Sequence, residues 1–293
     1  MSVIVSPFMD TITRLKGLKK TQTILPIIKK NAEVSCLMVG DEVGLRSSYT
    51  SPVLYDRELI SLLNEYTVIA EEEGNKKLSY IDFCSQLSNI DKISLIWALY
   101  KSTYEVLDSK RKITCPEESC KAKHEYEVIL EDLIHEDTYT FWEEPESFTT
   151  YGHPLEIIWA ENKFEFLSKL PTIQDNNNLI SRLSVKSIQQ NLEKISSIFT
   201  EAQSMALVTK AIRITLEDGT QVETDNPQEI LMACQTAIPA KVSEGFFKQY
   251  GKKFDKYNPN FYLNVECKSC GNNFKHDIDL ELEFFRRSLL GGE

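Results

Sequence analysis

Two pairs of cysteines carry the clearest chemistry in this 293-residue chain. Cys115 and Cys120 flank four residues, whereas Cys267 and Cys270 flank two and are followed directly by Gly271. Pairs at this spacing form tight turns, called knuckles below, whose backbone N–H groups point at the sulfurs. Two knuckles together supply the four thiolates of a tetrahedral zinc site. The sequence therefore predicts that Cys115, Cys120, Cys267 and Cys270 bind one structural zinc ion.

The residues around each knuckle alternate between apolar and polar, which is the pattern of a half-buried strand. Around the second knuckle the predicted apolar face consists of Phe261, Leu263, Val265, Phe274, Ile278, Leu280, Leu282 and Phe284. After the first knuckle it consists of Tyr126, Val128 and Leu130. Strand, knuckle, strand thus occurs twice, which is the layout of a zinc ribbon split into two halves. Because Cys120 and Cys267 are 147 positions apart, the halves meet only through the tertiary fold.

Other uses of these thiols stay open at this point. Met1 to Asp10 lacks the basic stretch and apolar core of a secretory signal peptide, which favours a reducing compartment. There a Cys-x-x-Cys pair is more often metal-binding or redox-active than a structural disulfide. A redox pair favours a following helix, and here a strand pattern follows. The alternatives are a metal-free thiol pair and a metal site completed by His124 or His276.

The three remaining cysteines lie in apolar surroundings. Cys36, Cys84 and Cys234 are therefore predicted to be buried, inert thiols.

Composition restricts the function. Hydrophobic content of 42% and charged content of 26% are typical of a globular protein, and no apolar run approaches the roughly 18 residues of a membrane span. The net charge of −11 argues against a nucleic acid as the main partner, because such binding needs a basic surface. The phosphate-binding and hydrolase motifs are missing, and no two of the four histidines have helical spacing. We therefore expect a protein that is not an enzyme.

The fold class expected from these patterns is α+β, with helical segments and antiparallel strands around the split four-cysteine zinc ribbon. Residues 1–50 are predicted to form an extended N-terminal arm, and residues 51–134 a helical segment with the first knuckle and its strand. Residues 135–259 are predicted as a mixed α/β insertion. Residues 260–293 hold the second knuckle, the C-terminal strand and a tail.

Individual elements follow from the same patterns. Helices are predicted at 56–73, 90–107 and 185–207, strands at 33–43 (as a pair) and 155–159, and an exposed turn at 175–178. A hairpin is predicted over 212–224, because Asp218-Gly219 supplies the positive φ angles of a tight turn.

One set of residues resembles a known family. A helical segment runs into ITCPEESCK at 113–121, and VECKSCG at 265–271 is followed by an alternating strand and Phe284-Phe285. This arrangement resembles the baseplate hub and hub-assembly proteins of contractile-tailed, T-even-like bacteriophages, over most of residues 50–290. The resemblance implies a non-enzymatic structural or assembly protein that contacts other tail and baseplate proteins.

The resemblance also implies a location and a ligand set. The protein would act in the host cytoplasm during assembly and in the tail baseplate of the virion, with Cys115, Cys120, Cys267 and Cys270 as its metal ligands. Two other functions stay open: a zinc-ribbon module that binds nucleic acid or transcription machinery, and a thiol–disulfide enzyme that uses Cys267 and Cys270. The sequence leaves the oligomeric state open.

Overall fold

The computed structural model describes residues 19–48, 51–72, 74–104, 106–139, 153–182 and 199–280. In these ranges the chain combines helices with antiparallel sheets, so the predicted α+β class is confirmed. The strands are β1 (Lys20–Leu25), β2 (Lys30–Ser35), β3 (Thr67–Glu71), β4 (Gly74–Lys76), β5 (Val106–Thr114), β6 (Lys123–Ile129), β7 (His153–Trp159), β8 (Asn162–Ser168), β9 (Thr209–Thr215), β10 (Gln221–Thr224), β11 (Tyr262–Glu266) and β12 (Asn273–Asp277). The α-helices are α1 (Val39–Ser48), α2 (Pro52–Tyr66), α3 (Tyr80–Gln86), α4 (Asn89–Tyr104), α5 (Ile173–Arg182), α6 (Glu201–Leu207), α7 (Pro227–Thr236) and α8 (Ala240–Phe254).

The chain divides into two compact units. The first is built from three stretches, Met1–Tyr80, Ile90–Thr140 and Pro259–Glu293. The second consists of Ile81–Asn89 and Phe141–Asn258. Both knuckles fall in the first unit, because the chain returns to it just before β11.

The first unit contains a four-stranded antiparallel sheet in the order β1-β2-β3-β4. The extended arm predicted for residues 1–50 is therefore wrong for its described part, residues 19–48. β1 and β2 form a hairpin because Thr21, Thr23 and Leu25 alternate inward and bury one face.

Helix α1 replaces the strand pair predicted at 33–43. β2 ends at Ser35, and α1 begins at Val39. Asp41 and Glu42 lie in the first turn of α1, where carboxylates favour the positive end of the helix dipole. The Asp41 carboxylate also accepts a hydrogen bond from the Met38 backbone N–H at 2.9 Å, which fixes the helix start.

The helix predicted at 56–73 begins earlier and ends sooner. Ser51 caps α2 by accepting a hydrogen bond from the Leu54 N–H, and Pro52 lies in the first turn. After Tyr66 the chain turns at once into β3. Thr67, Val68 and Ile69 are β-branched, and pairing with β2 outweighs the helical periodicity seen in the sequence.

Helix α4 confirms the helix predicted from residue 90, although β5 begins at Val106 and cuts off the predicted last turn. Trp97 and Tyr100 on this helix are buried, so its aromatic stripe belongs to the core.

The second unit contains a four-stranded antiparallel sheet in the order β10-β9-β8-β7. Helices α6, α7 and α8 contribute to the core on one face of this sheet, where Phe166 and Phe246 are fully buried. Two predicted elements are confirmed: the strand at 155–159 is β7, and the hairpin at 212–224 is β9–β10, with Gly219 at φ 85°.

The exposed turn predicted at 175–178 is wrong, because these residues lie in α5. Asp175 accepts hydrogen bonds from the N–H and hydroxyl of Thr172, and the Thr172 hydroxyl accepts one from the Asp175 N–H. Asn176 turns inward and donates to the Asn89 side chain at 2.8 Å. The capping hydrogen bonds and the inward contact of Asn176 thus stabilise a helix at residues 175–178, although these residues are all polar.

Some predictions lie partly outside the described residues. Only the last part of the helix predicted at 185–207 is described, as α6, and the predicted strand and tail beyond residue 280 are not. None of the helices in the described ranges is long and apolar enough to span a lipid bilayer.

Candidate metal centre

Each cysteine pair lies at the tip of a two-stranded antiparallel hairpin in the first unit. β5 pairs with β6, and the last residues paired before the first knuckle are Thr114 and Lys123. β11 pairs with β12, and the corresponding residues are Glu266 and Asn273. The predicted arrangement of strand, knuckle and strand is therefore present twice.

The two return strands repeat one pattern of burial. Along β6 and β12, exposed and half-buried residues alternate. At and just beyond the far end of each strand the inward residues are buried: Val128 and Leu130 in the first hairpin, Ile278 and Leu280 in the second. The predicted apolar faces thus anchor both hairpins in the core.

The knuckles close with equivalent backbone hydrogen bonds. The Cys115 N–H donates to the Ala122 carbonyl at 2.9 Å, and the Cys267 N–H donates to the Asn272 carbonyl at 2.8 Å. Each turn therefore returns to the first cysteine of its pair, although the first knuckle contains two more residues than the second.

The four cysteine sulfurs converge. Cys115 Sγ lies 3.8 Å from Cys270 Sγ, and Cys120 Sγ lies 3.7 Å from Cys267 Sγ, so both short distances join one knuckle to the other. All four Sγ atoms lie within 4.8 Å of one another. Cys115 and Cys267 are buried, Cys120 is half-buried, and Cys270 is exposed. Side chains from the two ends of a long insertion thus form a single cluster.

The sulfur positions fit a metal ion. A tetrahedron with metal–sulfur distances of about 2.3 Å, as for zinc, has sulfur–sulfur edges of about 3.8 Å. The distances of 3.8 Å and 3.7 Å between the knuckles match that edge. The predicted ligand set is therefore brought together in a geometry that is compatible with a zinc ribbon and able to hold a metal ion.

The knuckle backbone favours a thiolate at Cys267. The N–H groups of Cys270 and Ser269 point at its sulfur and lower the pKa of Cys267 to about 6. At Cys270 the Asn272 N–H acts in the same direction, but partial desolvation and the neighbouring cysteine side chains raise its pKa to about 12. Without a cation, the cluster therefore holds its negative charge unevenly, and a divalent cation would relieve the repulsion among four thiolates.

Side chains join the two hairpins beyond the sulfurs. The Tyr126 hydroxyl donates to the Glu266 carbonyl at 2.9 Å, and Lys268 Nζ donates to the Glu125 carbonyl at 3.1 Å. The Lys268 ammonium also lies 5.0 Å from the centre of the Tyr126 ring. These contacts all run from β6 to the second hairpin, and sequence patterns alone give no signal for them.

Neither of the alternative ligands, His124 and His276, belongs to the cluster. His124 Nε2 lies 2.9 Å from Ser269 Oγ, so a hydrogen bond to the opposite knuckle occupies that nitrogen. His276 lies on β12, opposite Leu263. Among the described residues, the group able to hold a metal consists of the four cysteines.

A second set of polar contacts joins the segment that follows β6 to the second hairpin. The His135 ring stacks on the Tyr262 ring at 4.0 Å, and its Nε2 lies 2.8 Å from the Tyr262 carbonyl oxygen. The Tyr262 hydroxyl donates to Asp137 at 2.7 Å, and Lys275 pairs with the same carboxylate at 2.9 Å. The alternating pattern assigns Tyr262 to the polar face, but these contacts bury it.

The remaining cysteines lie outside the cluster. Cys84 and Cys234 are buried as predicted, and burial raises the pKa of Cys234 to about 12, which makes it a poor nucleophile. Cys36 is only half-buried, so the prediction of burial is wrong for it.

Comparisons of the chain with protein-family models, with curated proteins and with solved structures find no match. The fold and the cysteine cluster are therefore the observations on which a function rests.

Proposed function

We propose that Cys115, Cys120, Cys267 and Cys270 bind one zinc ion, and that this zinc is structural. The supporting observation is that the four sulfurs lie within 4.8 Å of one another, with two of their distances, 3.8 Å and 3.7 Å, at the edge length of a zinc–thiolate tetrahedron. Tetrahedral sites with four sulfur ligands hold zinc or iron, and zinc suits a ribbon of two knuckles.

Four thiolates leave no coordination position for water or substrate, so a zinc ion held by them has no catalytic role. Its contribution would be to folding, because a site absent from the unfolded chain adds its binding free energy to the free energy of unfolding. The ion would fasten the C-terminal hairpin to the hairpin that precedes the insertion.

The function proposed for the whole chain is that of a non-enzymatic structural or assembly component of a bacteriophage tail baseplate, in its hub region. The resemblance of the two knuckles and their flanking strands to hub proteins supports it. Its partners would be other tail and baseplate proteins, met in the host cytoplasm during assembly and retained in the baseplate. The net charge of −11 favours protein partners over a nucleic acid.

Metal analysis tests the site. Purified protein should contain about one zinc per chain, and a variant carrying Cys267→Ser and Cys270→Ser should lose it together with several kcal/mol of stability. Cys36→Ser, which removes a thiol outside the cluster, is the matched control and should retain the zinc and the stability of the parent protein. Iron in place of zinc, or a double variant that melts like the parent protein, would contradict the structural zinc.

The assembly role has a separate test. In a phage that encodes this chain, a stop codon early in its gene should halt tail formation before complete baseplates appear in electron micrographs. Complete, infectious tails without the protein would rule this role out and leave the metal site unaffected.

A further inference from the structure

A surface in the second unit is formed by two hairpin tips that lie side by side. The first tip, residues 158–162, joins β7 to β8, and the second, residues 215–221, joins β9 to β10. The Asn162 side chain connects them, since its oxygen accepts a hydrogen bond from the Glu217 N–H at 3.2 Å and its amide donates to the Ala160 carbonyl at 2.7 Å. We call residues 158–162 and 215–221 the paired tips.

The paired tips expose large apolar side chains. Ile158 is 77% exposed, Trp159 42% and Leu216 41%. Single exposed apolar residues are ordinary, but all three lie at the same end of one sheet. Trp159 continues the series of Leu155 and Ile157 on the core side of β7, whereas Ile158 points to the opposite face. Trp159 combines a large apolar area with an indole N–H, which makes tryptophan a frequent anchor of protein interfaces.

The paired tips also contain three acidic residues. Glu161, Glu217 and Asp218 are exposed, and the sequence of the paired tips contains no lysine or arginine. The nearest cation along β8, Lys163, forms ion pairs with Glu156 and Glu165. The paired tips therefore combine exposed apolar side chains with three exposed acidic residues and contain no basic residue.

The first tip also has a backbone that its residues do not favour. Ala160 and Glu161 have φ angles of 47° and 65°, values that a two-residue hairpin turn needs and that asparagine and glycine adopt most easily. Strain of this kind is tolerated where the position of a side chain matters.

We propose that the paired tips are a docking site for a basic segment of another protein, with Trp159 as its anchor. Arginine or lysine side chains of that segment would meet Glu161, Glu217 and Asp218, and one of them, or an aliphatic side chain beside them, would lie on the Trp159 ring. The apolar contacts would supply most of the affinity, and the carboxylates would speed association and select for a basic partner. The paired tips belong to the second unit, whereas the four cysteines belong to the first.

The test uses the full chain and a defined probe, a twelve-residue peptide of alternating arginine and leucine. Its control is the same peptide with glutamate in place of arginine. We expect the arginine peptide to bind and the glutamate peptide not to bind. Binding should shift the NMR signals of the Trp159 indole and the Gly219 amide. Because the paired tips are acidic, affinity should fall as salt is added.

Matched variants separate the tips from the general acidity of the chain. Trp159→Ala should weaken binding about tenfold, as expected for an interface anchor. The double variant E161Q/E217Q should weaken binding and reduce the salt dependence, whereas E125Q/E127Q, which neutralises two exposed acids of the first hairpin, should change neither. The glutamine variants alter only exposed side chains, so they keep the test valid if Trp159→Ala misfolds.

Two results would overturn the proposal. Equal weakening by both glutamine variants would show that the peptide responds to net charge alone. Concentration-dependent self-association of the free chain, abolished by Trp159→Ala in sedimentation experiments, would assign the surface to a second copy of this protein.

Discussion

Lys121 occupies in the first knuckle the position that Gly271 occupies in the second, and both have a left-handed backbone. Each follows the last cysteine of its pair, with φ angles of 47° and 71°. Glycine adopts such angles at no steric cost, whereas a residue with a Cβ atom does not. The two knuckles thus need the same conformation, but only the second has the residue best suited to it.

Exchanging these residue types should have opposite effects on stability. Gly271→Ala should lower the free energy of unfolding by about 1 kcal/mol, because nothing lies within 4 Å of the added Cβ and only the φ angle penalises it. Lys121→Gly should raise it by up to about 1 kcal/mol, less the small loss of its exposed hydrogen bond to the Pro116 carbonyl. Urea denaturation of the metal-loaded protein measures both changes.

Gly40→Ala is the control for the added methyl group. Gly40 lies in α1 with open space around it and without a positive φ angle, so alanine should maintain or raise stability there. A Gly271→Ala variant as stable as Gly40→Ala would show that the second knuckle does not depend on the left-handed backbone.

Local patterns were sufficient to predict the cysteine cluster. Each knuckle is a short motif with a fixed spacing, and the alternation around it is a strand signal that needs no knowledge of the rest of the fold. The requirement of four ligands then pairs the knuckles across 147 positions. The α+β class follows from the same local signals.

The wrong predictions for residues 67–69, 175–178 and Tyr262 concern positions where contacts beyond the apolar pattern decide the structure. Residues 67–69 continue a helical stripe in the sequence, but pairing with β2 turns them into a strand. Residues 175–178 have the composition of a turn, but capping by Thr172 and the inward contact of Asn176 with Asn89 make them helical. Tyr262 is buried by His135, a partner 127 positions away. The long-range contacts among these lie outside a window of ten or so residues. The capping contacts of Thr172 with Asp175 span three positions, and they are a local signal of a helix start.

Trp97 connects α4 to the end of the first hairpin. Its indole N–H donates to the Leu130 carbonyl at 3.0 Å, and its ring stacks on Phe261, which directly precedes β11. Trp97→Phe should therefore lower the free energy of unfolding by about 1–3 kcal/mol, because it leaves a buried carbonyl without its donor. Trp159→Phe, at an exposed position, should change it by less than about 0.5 kcal/mol. Similar losses in both variants, measured by urea denaturation, would show that the indole hydrogen bond is unimportant.

Asp56 and Lys92 form a buried ion pair between α2 and α4. Lys92 Nζ lies 2.9 Å from Asp56 Oδ1, and both side chains are less than a tenth exposed. Asp56→Leu should lower the free energy of unfolding by about 3–5 kcal/mol, because it leaves the lysine charge buried without this carboxylate. Adding Lys92→Met should restore most of the lost free energy of unfolding, since a well-packed apolar pair replaces a buried ion pair at little cost.

The exposed pair of Lys241 and Glu244 on α8 is the comparison for the buried one. Lys241→Met should leave the melting temperature unchanged within error, because exposed pairs contribute little. A double variant at 56 and 92 as unstable as Asp56→Leu alone would show that the pair performs a role that apolar packing does not replace.

Asp137 should make stability depend on pH in the acidic range. Hydrogen bonds from Lys275 and Tyr262 lower the pKa of this carboxyl below its usual value. A group whose pKa is lower in the folded state stabilises the fold fully above its unfolded pKa, near 4, and loses that contribution as the pH falls through the folded value.

The melting temperature of the parent protein should therefore exceed that of Asp137→Asn by a constant amount from about pH 7 to pH 5, and the two should converge below about pH 4. Protonation of the cysteine cluster affects both proteins alike and cancels in the difference. A gap that persists to the lowest pH at which both proteins fold would mean that the contacts of Asp137 with Lys275 and Tyr262 do not depend on its charge.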